Sequence, residues 1–220
     1  MSIELGALVR IAVPLVDVLA HAEATIAKLS RPPAMAPLVV DPAPSADFVI
    51  GPFPLPKRDV PPGQYPPDVT LWSSGTLDIS SGPISKVGLT LAHVLTHEER
   101  GLPPIPPTLQ TEQHRLESAE LAGYRAMIGV YRTKHSFCLA ALLVHSIATL
   151  NRSRIIDDEG RLKRGDLVDP AAVAELLAKH GDAETFEQLA DRFCAELGFG
   201  AGWPDAAAAL AALDREQSGQ

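Results

Sequence analysis

Proline is distributed very unevenly along this chain, and its distribution is the strongest constraint on the fold. Seventeen of the 20 prolines lie between residues 32 and 107, and only two follow that stretch. Proline lacks a backbone N–H and has a fixed φ, so most of such a stretch cannot form a helix interior or a central strand. The distribution predicts an N-terminal part over 1–30, a proline-rich part over 31–107 and a C-terminal part over 108–220.

Residues 31–67 combine the densest prolines with many large apolar side chains. Leaving these side chains in water would cost roughly several kcal/mol, at about 25 cal/mol per Å² of apolar surface. We therefore expect an extended arm that docks on helices, either of its own chain or of a neighbouring subunit. The candidate docking side chains of the arm are Phe48, Ile50, Phe53 and Leu55.

Apolar residues recur at helical spacing on either side of the proline-rich part. Residues 3–29 predict one amphipathic helix, and residues 111–151 predict one long helix. Asp169 and Asp182 predict the starts of two further helices, because aspartate is a favoured N-cap. The predicted fold class is therefore mainly α, or α+β at most, with a C-terminal helical bundle around the long helix.

Three shorter segments complete the predicted fold. Residues 68–80 combine strand-forming residues with turn formers and predict a small β-hairpin, and residues 84–99 predict a short helix. Residues 154–168 predict a strand–turn–strand inserted in the bundle, with its turn at 157–160, where three acidic residues precede a glycine. This turn lacks the alternating ligands of a calcium-binding loop, so we expect no cation site there.

Composition limits the class of protein. The chain is 46% apolar and 21% charged, as in soluble globular proteins, and its arginine excess over lysine is typical of GC-rich bacterial or phage genomes. Two cysteines are too few for a disulfide framework and favour a reducing compartment. The most apolar run, 136–150, is shorter than the ~20 residues that span a bilayer, so we expect a cytoplasmic protein without a membrane partner.

Two histidines form the clearest metal-binding pattern. His93 and His97 are four residues apart in the predicted helix over 84–99, which would place both imidazoles on one face. A metalloprotease helix has glutamate directly after the first histidine, whereas this chain has Val94. The alternative is an exposed pair near a helix C-terminus, where a protonated histidine interacts favourably with the helix dipole.

A second set of metal-ligand residue types lies in the C-terminal part. His135, Cys138 and His145 share a face of the predicted long helix, and Cys194 could approach from another helix. Together they could hold zinc or haem. The surrounding sequence is densely apolar, which favours buried core residues instead, and no cofactor is predicted.

A basic zone occupies the middle of the C-terminal part. No acidic residue occurs between residues 121 and 156, whereas residues 167–220 have three basic and ten acidic residues. The zone favours contact with phosphate or an acidic partner, unless the acidic helices pack on the long helix and neutralise it. Its candidate partner-binding residues are Arg125, Arg132, Arg152, Arg154, Arg161, Lys163 and Arg164.

These patterns favour a non-catalytic structural or interaction protein, a subunit or adaptor of a larger bacterial or phage assembly, with a protein partner or self-association. The first alternative is a small metal-dependent hydrolase that uses His93 and His97. The second is a nucleic-acid-binding regulator that uses residues 152–164, which the net charge of −8 disfavours. A helix-turn-helix over 170–197 would have an acidic second helix, so a helical hairpin of the bundle is favoured there.

Overall fold

The computed structural model describes residues 3–29, 35–42, 48–50, 58–60, 69–94, 123–131, 133–200 and 202–217. The strands in these ranges are β1 (Ile3–Val9), β2 (Val39–Pro42), β3 (Phe48–Ile50), β4 (Arg58–Val60), β5 (Gly75–Ser80), β6 (Lys86–Val94), β7 (Gly123–Val130), β8 (Ile155–Ile156) and β9 (Leu167–Val168). The helices are α1 (Leu15–Leu29), α2 (Lys134–Asn151), α3 (Pro170–Ala178), α4 (Phe186–Glu196) and α5 (Ala206–Gln217).

A large antiparallel sheet organises the molecule. Its strand order is β2-β5-β6-β7-β1-β8-β9, and β3 and β4 form a separate two-stranded sheet. Helix α2 lies against β1, β6 and β7, and α1, α3 and α4 pack on α2. The expected mainly α fold is therefore wrong, because the protein is α+β with a seven-stranded sheet.

The predicted N-terminal helix over 3–29 is a strand followed by a helix. Alternate side chains of β1 are buried in the core, which is the period of a strand: Ile3, Leu5, Ala7 and Val9. Gly6 lies between β7 and β8, and a Cβ at this position would lie 2.8 Å from Met127 Sδ and 3.3 Å from the Ala126 carbonyl oxygen. Nearly every residue of β1 is apolar, so its sequence fits a helical period as well as a strand period.

The predicted long helix over 111–151 is also divided. Residues 123–130 form β7, which pairs with β1 on one side and β6 on the other. Helix α2 begins only after Thr133, whose hydroxyl accepts a hydrogen bond from the Ser136 N–H at 3.0 Å. Most of α2 is buried on every side, so it lacks the polar stripe that would mark its beginning in the sequence.

The segment 84–99, expected to be helical, contains β6 instead. β6 pairs with β5 through a turn in which Gly82 has a φ of 74°. The hairpin expected within 68–80 is therefore absent there, because β5 pairs with β6 and β2, which both lie outside that segment. The later expectations hold better: β8 and β9 form the strand–turn–strand predicted over 154–168, and Asp169 caps α3. Helix α4 is capped by Thr185 rather than by Asp182.

The described start of the proline-rich arm docks on its own chain. β2 pairs with β5 at the edge of the sheet, and the N–H of Leu38 donates to Glu23 of α1 at 3.0 Å. Pro42 is compatible with this position because an edge strand leaves some N–H groups unpaired. Phe48 and Ile50 lie in β3. Their side chains, and all of Phe53 and Leu55, lie outside the described part of the chain.

Helix α2 is the centre of the hydrophobic core, and Phe137, Leu139, Leu142 and Ile147 are completely buried. The apolar run 136–150 is therefore enclosed by protein. Within the described ranges, no helix combines the length and the apolar character required to cross a membrane.

Candidate functional site

The turn between β8 and β9 is organised by one buried carboxylate. Asp157 accepts hydrogen bonds from the N–H groups of Arg161, at 2.9 Å, and of Leu162, at 2.6 Å. Its own N–H donates to the Asp166 carbonyl oxygen, and its carbonyl oxygen accepts from the Gly160 N–H. Burial raises the pKa of Asp157, and the two N–H donors oppose that shift. We call residues 155–168 the basic hairpin.

The basic hairpin borders a cavity of about 270 Å³. The opposite wall comes from the residues that follow α4, including Phe199 and Trp203, whose rings meet edge to face with centroids 4.7 Å apart. The Phe199 ring in turn packs on Phe137, at 4.5 Å, and Phe137 is completely buried in α2. This contact anchors the aromatic wall of the cavity, which we call the Trp203 cavity, in the hydrophobic core.

Lys163 is held in an unusual backbone conformation beside the Trp203 cavity. Its φ of 55° lies in the left-handed region, which costs a non-glycine residue about 1–2 kcal/mol. The exposed Lys163 ammonium lies 3.5 Å from the Glu196 carbonyl oxygen, at the end of α4. A Cβ on Gly198, whose φ is 81°, would lie 3.0 Å from this ammonium, so the glycine leaves room for it.

Other predicted basic residues lie in the basic hairpin or just before it. Arg161 lines the Trp203 cavity and pairs with Glu159 at 3.0 Å. Arg152, Arg154 and Arg164 are exposed, and Arg152 ends α2 with a φ of 51°. The two non-glycine residues with a positive φ in the described ranges, Arg152 and Lys163, therefore both belong to the predicted basic zone.

One of the predicted partner-binding arginines does not join this group. Arg125 lies in β7, where alternation places it on the face of the sheet opposite the core residues Tyr124 and Ala126. Arg132 lies outside the described residues.

The acidic C-terminal helices neutralise only part of the basic zone. Lys134, at the start of α2, lies 3.6 Å from Asp191 of α4. Glu196 of α4 pairs with Lys179 and His180, at 2.6 and 2.8 Å, and the hydrogen bond from Lys179 lowers the pKa of Glu196. The carboxylate of Glu196 therefore faces Lys179 and His180, while Lys163 meets only its backbone carbonyl.

The helical basis for the His93 and His97 metal site is wrong. His93 lies in β6, where it is paired with Tyr124 of β7, so these two histidines do not occupy one face of a helix. His97 lies outside the described residues. The four residues of the second predicted set, which are all described, do not come together as metal ligands either. Throughout the described ranges, no cluster of three or more histidine, cysteine or acidic side chains has the arrangement of a metal site.

The cysteines and His135 are core residues. Burial raises the pKa of Cys138 well above its usual range and raises that of Cys194 to about 12, so both thiols stay protonated. The Cys194 thiol donates to the Lys134 carbonyl oxygen at 3.4 Å. His135 is completely buried, and neither of its ring nitrogens has a hydrogen-bond partner within the described structure.

A histidine pair that the sequence did not indicate joins α1 to α2. His21 Nδ1 lies 3.0 Å from the Ser146 hydroxyl oxygen, and His145 Nδ1 lies 2.9 Å from the Pro170 carbonyl oxygen. The two rings have centroids 5.8 Å apart and planes inclined by 41°. No sequence spacing could have predicted this contact, because it depends on the packing of two helices far apart in the chain.

Comparisons of the whole chain with protein-family models, with curated proteins and with solved structures gave no match. The functional argument therefore depends on the geometry of the described residues.

Proposed function

We propose that this protein is a non-catalytic interaction protein, a subunit or adaptor of a larger assembly, which binds an acidic segment of a protein partner at the Trp203 cavity. The observation that supports this most is Lys163, a cation in a left-handed backbone conformation beside an aromatic cavity. Strained residues concentrate at functional sites, where the surrounding structure maintains them. Glycine would occupy this conformation without strain, and glycine stands at residues 160 and 165 of the same turn.

The charges around the cavity favour a carboxylate ligand. Arg161 is already paired with Glu159, whereas the described contact of the Lys163 ammonium is a 3.5 Å approach to a carbonyl oxygen. An incoming carboxylate would give Lys163 a charge-assisted hydrogen bond, which is roughly twice as strong as a bond between neutral groups. The Arg161 guanidinium could also contact that carboxylate through the N–H groups that do not face Glu159.

The size and lining of the cavity favour a side chain over a small molecule. Its volume of about 270 Å³ is below the ~300–1,000 Å³ that is usual for small-molecule and cofactor sites. Phe199 and Trp203 offer an apolar wall to a large side chain, and aromatic residues of this kind are typical anchors of protein interfaces. We therefore expect a recognised segment that contains an apolar residue next to aspartate or glutamate.

Nucleic acid fits this surface less well. Asp158, Glu159 and Asp166 are exposed on the same hairpin as the cations, and a phosphate backbone would approach them too. Together with the net charge of −8, these residues weaken the sequence-independent attraction on which nucleic-acid affinity depends.

Selection from a library of random 12-residue peptides, with the full-length protein as bait, tests the proposal. We expect enrichment of peptides with an acidic residue beside a large apolar one. Binding of an enriched peptide is then followed by fluorescence in a Trp72→Phe protein, in which Trp203 is the remaining tryptophan of the two in the chain. Lys163→Ala should weaken this binding about tenfold or more, as expected for the loss of a charged hydrogen bond.

Arg192→Ala is the matched control, because Arg192 is an exposed arginine paired with Asp182 and does not line the cavity. It should leave the affinity unchanged. Enrichment without acidic residues, or equal binding by Lys163→Ala, would contradict the proposal. Tight binding of a DNA or RNA oligonucleotide that Lys163→Ala abolishes would favour the nucleic-acid alternative instead.

A further inference from the structure

The contact between α1 and α2 contains two histidines that are each anchored through one ring nitrogen. His145 is 7% exposed, and its Nδ1 must donate, because the Pro170 carbonyl oxygen can only accept. The Ser146 hydroxyl donates to the Leu142 carbonyl oxygen at 3.0 Å, so it accepts from His21 Nδ1. Both neutral rings therefore have their proton on Nδ1 and an unprotonated Nε2.

This arrangement is typical of metal-binding histidines. Such residues almost always donate the N–H of the ring nitrogen that does not bind the metal to a carboxylate, a backbone carbonyl or water, which fixes the tautomer and the orientation of the ring; the Ser146 hydroxyl has the same accepting role for His21. His145 Nδ1 is directed at α3, so its Nε2 points away from α3. His21 approaches α2 from the side of α1.

The distance between the rings is consistent with a shared ion. Zinc lies about 2.0–2.1 Å from a histidine nitrogen, which places the ion about 3.2 Å from the centroid of each ring. Two rings bound to one ion at a tetrahedral angle then have centroids about 5 Å apart, and wider angles increase this distance towards about 6 Å. The observed 5.8 Å falls within this range.

The electrostatic surroundings keep both imidazoles in the form that binds metals. Burial lowers the pKa of His21 and of His145, and the positive charge of Lys28 lowers that of His21 further. His21 is only half-buried, so part of its side chain is exposed to solvent. Lys28 also repels a bound cation, so its positive charge opposes metal binding. Removing this charge should therefore strengthen the metal affinity.

We propose that His21 and His145 form a two-histidine site for a divalent transition-metal ion of the zinc, nickel or copper class, with water in the remaining coordination positions. Imidazole nitrogen is a preferred ligand of these ions. This site is independent of the Trp203 cavity and of the function proposed there.

Calorimetric titration of the metal-free, full-length protein with Zn²⁺ tests the site. We expect one ion per chain, and the loss of one ligand in His21→Gln should weaken the affinity tenfold or more. Lys28→Gln should strengthen the affinity severalfold because it removes a like charge. His180→Gln is the control, since this histidine pairs with Glu196 elsewhere on the surface, and it should leave the affinity unchanged.

A spectroscopic measurement on the wild-type protein tests the site without the need for a folded variant. In ¹⁵N spectra of the histidine rings, Zn²⁺ should shift the Nε2 resonances of His21 and His145 while their Nδ1 atoms remain protonated. The proposal fails if the protein shows no saturable Zn²⁺ binding, or if His21→Gln binds as tightly as the wild type. It also fails if the ion shifts the ring nitrogens of other histidines and leaves these two unchanged.

Discussion

Replacing the buried His135 by leucine should stabilise the protein. The ring is completely buried in the first turn of α2, and both of its nitrogens lack a partner within the described structure. Each buried, unpaired polar group costs about 1–3 kcal/mol, while leucine fills a similar volume with no polar atom. We therefore expect His135→Leu to raise the free energy of unfolding by about 1–3 kcal/mol at pH 8, or Tm by about 2–10 °C for a chain of this size.

The same substitution should change the response to acid. Burial lowers the pKa of His135, although the negative charges of Asp191, Glu187 and Asp205 oppose this shift. The unfolded chain therefore binds a proton near pH 6.5 that the folded protein resists, and stability is lost as the pH falls from about 6.5 through the lower folded pKa. One such proton contributes at most about 1.4 kcal/mol per pH unit, and His135→Leu should remove this contribution.

Guanidinium denaturation at pH 8, 6.5 and 5 measures both effects on the wild type and the variant. Two results would refute the reasoning. If His135→Leu is less stable than the wild type at pH 8, the ring makes a favourable interaction in the folded protein. If the wild type and the variant lose stability equally on acidification, His135 does not resist protonation.

Three further substitutions test the basic hairpin, the end of α2 and the aromatic wall of the Trp203 cavity. Asp157→Ala should lower the free energy of unfolding by about 2–4 kcal/mol, measured by denaturant titration, because it leaves the buried N–H of Leu162 and the partly buried N–H of Arg161 without their acceptor; an unchanged midpoint would mean that the turn does not need this carboxylate. Arg152→Gly should raise thermal stability by up to about 1 kcal/mol, because glycine adopts a φ of 51° without strain, and a lower Tm would contradict this. Phe137→Ala should cost about 3–5 kcal/mol and shift the Trp203 emission to longer wavelength, because the aromatic wall loses its buried support. An unshifted emission spectrum would show that the wall is held by other contacts.

Elements with explicit boundary residues could be predicted from the sequence. Asp169 followed by Pro170 marks the start of α3, and the polar turn before β9 marks the basic hairpin. β1 and β7 could not be recognised because their apolar residues satisfy a helical and a strand period together. The pairing that makes them strands is with each other, across more than a hundred residues.

The candidate sites divide in the same way. The charge pattern pointed to Arg161 and Lys163, and these two residues line the Trp203 cavity. It could not indicate Trp203, whose ring is held at the cavity by packing on Phe199 and on the buried Phe137. His21 could not be indicated either, because its partner His145 lies more than a hundred residues later in the chain.

The position of β1 has a consequence for synthesis of the protein. This strand leaves the ribosome well before its partners, because it lies inside the sheet and pairs with β7 and β8, up to about 150 residues later. At the usual 5–20 residues per second, its apolar side chains remain without their strand partners for roughly 7–30 s. Such distant pairings also slow folding itself. The nascent chain should therefore be a strong client of ribosome-associated chaperones, and translation pauses before residue 123 should increase its aggregation.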